Sequence, residues 1–301
     1  MEDVVDYAQL ERRENLRPDE FYRDYVGKRP VIFSDFKREW GPIPRWTPDY
    51  FRKIGGNLVV KVRPGYKLGP GTTEYVMLNQ YFDMIAAYQE NRDAGSLDPT
   101  RFPPYLHDTP MLEMLPALGE DLEKFPVHYL PRWYRHDWSR FLLFFIGPSD
   151  TFTPLHFDTC ETNNLFFQVA GRKRFIIVYP EKRSCCYPYE WRWSPLKAEA
   201  PDFDEYPLFK DAAPVQCEIG PGDILYIPPG SFHEVRALEP SISFNLDWHT
   251  RRTAIRGSLA AFRGMPLRYV FYNVVHAVGM CGGIPCSWVY PLLRLHLNIV
   301  D

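Results

Sequence analysis

The segment from residue 141 to residue 246 is a series of short apolar runs separated by turn residues such as those of the tight turn at 220–223. Runs of this kind, bounded by Gly, Pro and Asp, are typical of buried β-strands. Several short strands in succession form a sandwich or a barrel. We therefore predict a jelly-roll-like core between about residues 140 and 250, with strands at 141–146, 165–169, 175–179, 215–219, 224–227 and 242–246.

Helical patterns precede this core. Pro18 opens a helix that ends near Gly27, since proline at an early position and acids in the first turn favour a helix start. Thr47 is the expected cap of a second helix, which Gly55 stops, and a third helix begins at Asn79. The remaining N-terminal predictions are strands at 29–33, 58–62 and 105–106, a loop over 93–104 and a helix over 110–118.

The connection from residue 180 to residue 214 is longer than an ordinary loop and rich in aromatic residues. Such a length suggests a functional insertion. It is as consistent with a cover over the core as with a substrate groove. The fold class we predict is mainly β with flanking helices: a double-stranded β-helix core with N-terminal α/β elements (1–139) and a C-terminal helical extension (251–301).

Composition narrows the class of protein. Apolar residues make up 45% and charged residues 24% of the 301 residues, as in an ordinary globular chain. The net charge of −3 argues against a surface dominated by nucleic-acid or acidic-lipid binding. The six cysteines form no C-x-x-C pair, and the charged N-terminus has no apolar signal segment. We expect reduced thiols and a cytoplasmic or nuclear location.

The stretch from Tyr269 to Leu293 has no charged residue and is long enough to cross a bilayer. Gly282, Gly283 and Pro285 interrupt it, however. Two short packed helices with a turn between them fit this pattern better than one membrane span. We expect no stable membrane insertion, and a dimer interface or a cap on the core instead.

A candidate metal site lies within the predicted core. His156 and Asp158 are two residues apart beside a predicted strand, so their side chains point to the same face. His233 follows a short apolar run, as the returning strand of a barrel would supply it. Two imidazoles and one carboxylate on one face of a metal form the facial triad of non-haem Fe(II) oxygenases. Lys173 lies on the next predicted strand, after a turn at Gly171.

These motifs together resemble the JmjC (cupin-like) 2-oxoglutarate oxygenases. The likeness rests on the segment 153–158, on Asn164 and Lys173, on the run from Gly222 to Pro228, and on His233. It is nearest to the hydroxylase branch, which includes the asparaginyl hydroxylase of hypoxia-inducible factor, the JmjC lysyl hydroxylases and the tRNA wybutosine hydroxylase. The similarity covers roughly residues 18–250, so we expect one oxygenase domain over residues 1–250.

The resemblance implies a role for each matching residue. His156, Asp158 and His233 would ligate Fe(II), with 2-oxoglutarate and O2 at the remaining positions. Lys173 matches the lysine that binds the distal carboxylate of 2-oxoglutarate, where a charge-assisted hydrogen bond is needed. Thr153 matches a threonine whose hydroxyl joins the same carboxylate. Tyr105 resembles a tyrosine that reaches it too, across a loop of variable length.

Two further assignments leave the local register open. Asn164 resembles a metal-proximal asparagine, but one extra residue after Asp158 makes Asn163 an alternative. Asn245 looks like the last-strand asparagine beside the cosubstrate, although Trp248 after it is displaced from the family position.

The implied activity is hydroxylation of a substrate C–H bond, coupled to oxidative decarboxylation of 2-oxoglutarate to succinate and CO2. Protein side chains are the substrate class we expect first. A tRNA nucleoside or an N-methyl-lysine is the second class, and a non-catalytic jelly-roll binding module is the third hypothesis. The family often carries dimerising helices in the region that follows, so a homodimer through residues 251–301 is a further expectation.

Overall fold

The computed structural model describes residues 5–33, 45–64, 73–98, 103–122 and 124–296. Within them, two β-sheets face each other, and the α-helices lie in the N-terminal and C-terminal parts of the chain. The strands are β1 (Ala8–Gln9), β2 (Arg12–Arg13), β3 (Val31–Phe33), β4 (Val59–Pro64), β5 (Glu74–Met77), β6 (Pro104–Thr109), β7 (Leu142–Gly147), β8 (Phe152–His156), β9 (Asn163–Ala170), β10 (Lys173–Val178), β11 (Val215–Ile219), β12 (Ile224–Ile227), β13 (Phe232–Ala237) and β14 (Ser241–Trp248).

The sheet order is that of a jelly roll. Strands β7 to β14 are divided between the sheets, giving β11-β10-β13-β8 in the smaller sheet and β12-β9-β14-β7 in the larger one. Strand β1 extends the first sheet, whereas β2 and β3 at one edge and β6, β4 and β5 at the other extend the second. The predicted double-stranded β-helix core is thereby confirmed.

The helices follow the sequence signals closely. They are α1 (Pro18–Asp24), α2 (Pro48–Gly55), α3 (Leu78–Asp93), α4 (Met111–Met114), α5 (Arg251–Ser258), α6 (Leu267–Gly282) and α7 (Cys286–Leu293). The Thr47 hydroxyl accepts a hydrogen bond from the Tyr50 amide, so it caps α2 as expected. The predicted helix over 110–118 is wrong in detail. It ends at Met114, and a 3-10 helix follows from Pro116, because proline donates no backbone hydrogen bond.

Three apolar clusters pack against the faces of the two sheets, one between the sheets and one on each outer face. Phe166, Phe175 and Leu225 lie in the cluster between the sheets. The outer face of the larger sheet packs against the N-terminal and C-terminal helices. The outer face of the smaller sheet packs against the 180–214 insertion, which therefore covers the core.

The uncharged C-terminal stretch forms two helices, as predicted. Helix α6 ends at Gly282, and Gly283 then adopts a positive φ of 67° before α7 begins. Glycine adopts this left-handed conformation at no steric cost. Among the described residues, no helix is both long enough and apolar enough to cross a membrane. The predicted 93–104 loop lies partly outside the described residues, at 99–102.

Candidate active site

A cavity of about 760 Å³ opens between the two sheets. All eight candidate site residues named from the sequence line this one cavity: Tyr105, Thr153, His156, Asp158, Asn164, Lys173, His233 and Asn245. Binding sites of small molecules are commonly concave and of this size.

The two histidines meet because their strands are neighbours. His156 ends β8 and is the direct partner of His233 on the antiparallel strand β13. Their ring centroids are 4.3 Å apart. Asp158 follows β8 by two residues, and its Oδ1 lies 3.8 Å from Nε2 of His233. One ligand atom from each of the three residues lies within 4.8 Å of the other two.

Backbone carbonyls fix the orientation of both imidazoles. His156 Nδ1 lies 2.8 Å from the Pro154 carbonyl oxygen, and His233 Nδ1 lies 3.2 Å from that of Ser231. Because a carbonyl only accepts, each Nδ1 carries the hydrogen and each Nε2 keeps a lone pair for a metal. Burial lowers the pKa of both imidazoles, in His156 assisted by the neighbouring His233 and Arg192. Both are therefore neutral, which is the form that ligates metals.

The structure distinguishes the two candidate asparagines. Asn164 Nδ2 donates to Asp158 Oδ2 over 3.1 Å, so this side chain orients the carboxylate of the cluster. Asn163 points elsewhere: it accepts from the Tyr226 hydroxyl at 2.7 Å and donates to the Trp248 carbonyl at 3.2 Å.

Lys173 lies at the deep end of the cavity and is 1% exposed. Its Nζ donates to the Ser243 hydroxyl over 2.8 Å and lies 3.5 Å from the Tyr105 hydroxyl. Burial lowers its pKa to about 7. No acidic side chain in the described residues forms an ion pair with it. A buried ammonium without a counter-ion is costly, so an anionic ligand fits this position.

Thr153 and Asn245 are also part of the wall of this cavity. Both are buried, with 6% and 4% of their surface exposed. Asn245 is on β14, where alternate side chains face the cavity. Trp248 is on the opposite face of β14 and is packed in the outer core.

Several cavity residues were not found from the sequence. The segment 192–194 of the insertion runs beside β8, and the Trp193 ring lies 5.3 Å from that of His156. The insertion therefore also forms part of the site, in addition to covering the core. Asp247 lines the cavity as well, and its position two residues after Asn245 is a signal that the alternation of a strand could have provided.

The donor set suits a resident Fe(II). Two neutral imidazoles and one carboxylate on one side of a polar cavity are the ligands of facial-triad iron sites. A double-stranded β-helix with this triad defines the class of cupin-type metal oxygenases. The model of the cupin-like domain matches residues 18–254, most of the chain, so the chain belongs to that family, which includes the JmjC oxygenases.

The names of similar proteins refer to two kinds of substrate, a lysine and a tRNA. Lysine-specific demethylase 8 of Danio rerio is 28% identical over 237 residues, which cover 76% of this chain and 55% of that protein. The tRNA wybutosine-synthesizing protein 5 of Gallus gallus is 25% identical over 257 residues, covering 80% of this chain and 77% of that protein. The chain spans about half the length of the demethylase relatives.

Proposed function

We propose that this protein is an Fe(II)- and 2-oxoglutarate-dependent dioxygenase that hydroxylates a protein side chain. One observation carries the proposal: the cluster of His156, Asp158 and His233 shares a cavity with the buried side chain of Lys173. No acidic side chain of the described residues forms an ion pair with that lysine. A metal alone would need only the cluster. A dicarboxylate cosubstrate explains the buried ammonium as well.

Each residue has a distinct task in this proposal. His156, Asp158 and His233 hold the metal, and Asn164 orients the carboxylate of Asp158. Bound Fe(II) with 2-oxoglutarate supplies the activation of O2, coupled to decarboxylation to succinate and CO2.

The far end of the cavity binds the cosubstrate. Lys173 binds the distal carboxylate of 2-oxoglutarate, with Thr153, Tyr105 and Asn245 as polar neighbours. Binding of the carboxylate keeps Lys173 protonated, because an anion favours the charged form of a nearby base. The apolar rings of Phe145 and Phe166 beside its ammonium, at 5.6 and 5.1 Å, keep water out of this end.

A second candidate is an oxygenase of tRNA nucleosides or of N-methyl-lysine. The names of the relatives in Gallus gallus and Danio rerio favour it. The net charge of −3 does not favour a broad nucleic-acid surface. Formaldehyde release from a methylated peptide, or turnover stimulated by tRNA alone, supports this alternative. A non-catalytic binding module is the third reading, and failure to bind Fe(II) or Mn(II) supports it.

We also propose a homodimer through the C-terminal helices, with residues 1–250 as the catalytic domain and 251–301 as its extension. One stripe of α6, at helical spacing, exposes large apolar side chains: Leu267 (77%), Phe271 (45%), Val274 (39%) and Val278 (54%). Phe262, before α6, and Trp288, in α7, are 93% and 76% exposed. Exposed apolar patches of this kind mark interfaces. Since residues 269–293 contain no charged residue, a second copy supplies a matching uncharged face.

Succinate formation tests the proposed activity. The purified protein with Fe(II) and 2-oxoglutarate should form succinate faster in the presence of its peptide substrate, and the peptide should gain the mass of one oxygen atom. Comparison of proteomes exposed to the wild type and to Asp158→Ala identifies the target. Turnover in Asp158→Ala equal to that of the wild type contradicts the proposal.

A further inference from the structure

Charge is unevenly distributed along the chain. From Trp248 to Val300 the sequence contains six arginines and no lysine, aspartate or glutamate. The whole chain nevertheless has a net charge of −3, so the acidic excess lies in the rest of the chain. Five of the six arginines fall between residues 251 and 268, ahead of the uncharged stretch through which we propose the dimer. This arginine-bearing segment therefore differs in its chemistry from the dimer face.

Helix α5 and the 3-10 turn that follows it bury small residues. The helix ends at Ser258, and the turn extends from Ala260 to Arg263. Gly257 lies so close to α6 that a β-carbon in its place would clash with the side chain of Asn273. The buried positions of the segment are all small: Ala254, Gly257 and Ala260. The large apolar side chains of the segment are therefore not used in its packing.

Those large apolar side chains face solvent instead. They recur at a spacing of four and three positions, which places them on one side of a helical segment: Ile255 (48% exposed), Leu259 (60%) and Phe262 (93%). Phe262 is the most exposed large apolar side chain in the described part of the chain. An amphipathic helix of a globular protein ordinarily shows the opposite arrangement, with its large apolar residues inside. A contiguous apolar patch of this kind marks an interaction surface.

Arginines lie on the same side of this segment. Arg252 and Arg256 each precede an exposed apolar residue by three positions, and Arg263 follows Leu259 by four. Residues at these spacings are neighbours on a helix surface. All three arginines are exposed. The surface formed by α5 and the turn is thus both apolar and basic.

A single carboxylate compensates part of this charge. Arg263 donates to both carboxylate oxygens of Glu161, at 3.2 and 2.8 Å, and Arg256 Nε lies 3.6 Å from Oε2. Glu161 also accepts from Arg183. Arg252 forms no ion pair with an acid of the described residues. Three guanidinium groups therefore share one negative charge, and positive charge remains for an anionic partner.

We propose that α5 and the turn at 260–263 bind the surface of an anionic lipid bilayer. The apolar side chains of Ile255, Leu259 and Phe262 enter the boundary between headgroups and acyl chains, and the arginines bind the headgroup phosphates. The contact of Arg263 with buried Glu161 already fixes the turn, so little conformational freedom is lost on binding. This inference goes beyond the proposed oxygenase activity and does not depend on the metal site.

Two other occupants fit this surface less well. A second copy of the chain would bring the same arginines against these, and like charges repel. A nucleic acid would pair with the arginines but leave Ile255 and Leu259 uncovered, because aliphatic side chains do not stack on bases as aromatic ones do. A bilayer covers both kinds of side chain. It also requires no shaped groove, which suits a side chain as protruding as that of Phe262.

Vesicle sedimentation tests the inference. The full chain is incubated with phosphatidylcholine vesicles that contain or lack phosphatidylglycerol. We expect binding to the anionic vesicles alone, and weaker binding at high salt because salt screens the charges. Phe262→Ser should weaken binding roughly tenfold, since a phenyl ring no longer leaves water. Arg252→Gln should weaken it roughly fivefold, the contribution of one cation near an anionic surface.

Two matched variants control for the loss of an exposed apolar or charged side chain elsewhere. Leu208→Ser, at a position that is 51% exposed, and Arg17→Gln, whose side chain is 66% exposed, should bind the vesicles as the wild type does. A tryptophan at the turn reports insertion directly. The fluorescence of Phe262→Trp in anionic vesicles should be quenched by brominated lipids more strongly than that of the wild type. Equal quenching overturns the insertion of this side chain.

The outcomes separate this inference from the proposed function. Asp158→Ala lacks a proposed metal ligand and should bind vesicles as the wild type does. Equal binding to both kinds of vesicle, or undiminished binding of Phe262→Ser, overturns the inference. A Phe262→Ser protein that is monomeric where the wild type is dimeric assigns this surface to a second copy, and tRNA bound more tightly than anionic vesicles assigns it to nucleic acid; either result overturns the inference. Vesicle binding by a protein that forms no succinate contradicts the proposed function alone.

Discussion

Arg263 Nη2 donates to Glu161 Oε2 over 2.8 Å, a contact between residues that are far apart in the sequence. Glu161 is 3% exposed and also accepts from Arg183 at 2.8 Å. It lies three residues after Asp158, in the same loop as this proposed metal ligand. The C-terminal segment and the 180–214 insertion are thereby attached to the loop that carries a proposed metal ligand.

Loss of this carboxylate should destabilise the protein and the metal site together. Glu161→Gln removes the counter-charge of Arg183 and Arg263, whose side chains are 23% and 37% exposed, and the loss of these charge-assisted hydrogen bonds costs about 1.5–3 kcal/mol. We expect a lower free energy of unfolding and a weaker affinity for Mn(II), measured by denaturant titration and by calorimetry. Glu90→Gln, at an exposed position of α3, is the control. Wild-type metal affinity in a folded Glu161→Gln protein contradicts a role in holding the loop.

Lys173→Ala should raise the KM for 2-oxoglutarate. Truncation of one partner of a buried charge pair costs about 2–5 kcal/mol, which corresponds to a rise of roughly 30-fold or more. The metal ligands are unchanged, so Mn(II) should still bind. Turnover measured against the concentration of 2-oxoglutarate checks the KM. A KM equal to that of the wild type excludes Lys173 from the cosubstrate site.

Lys173 should also make the stability of the ligand-free protein depend on pH. Its pKa is about 7 in the folded state and 10.5 without burial. Between these values the unfolded chain binds more protons, so the free energy of unfolding rises with pH. The destabilisation is fully present below pH 7 and is relieved as pH rises towards 10.5.

Lys173→Met isolates this contribution, because the other titrating groups are common to both proteins. Denaturant titrations of wild type and variant at several pH values should show Lys173→Met to be the more stable protein at pH 7, with the difference shrinking at higher pH. Addition of 2-oxoglutarate should stabilise the wild type alone. A difference that does not change with pH contradicts the assignment of a buried, unpaired ammonium.

Local patterns predicted most of the fold. The strands at 141–146 and 224–227 agree with β7 and β12 to within a residue. The short spacing of His156 and Asp158 predicted that they lie together, although β8 ends at His156 and Asp158 is in the loop that follows it. Their encounter with His233 required only that a returning strand pair with β8.

Contacts between distant segments could not be predicted in this way. Asp247 lies opposite Asn164 because β14 pairs with β9 in one particular register. Glu161 meets Arg263 across about a hundred residues, and no local spacing indicates that contact. Strand β5 was missed because it is short, mostly exposed and forms no long apolar run.

The apolar stripe of α6 predicts a dimer that charge can disrupt. Leu267→Glu together with Phe271→Glu places two carboxylates on a face that we propose to be buried against a second copy, where each unpaired charge is costly. Light scattering should show a mass of two chains for the wild type and of one chain for this variant. Leu208→Glu, at a position that is 51% exposed outside the C-terminal helices, should remain dimeric.

Helix α6 also carries Arg268 and Tyr272 in the cavity wall. The monomer should therefore turn over its peptide substrate less efficiently while it still binds 2-oxoglutarate. A wild-type protein that is monomeric at micromolar concentration contradicts the proposed dimer.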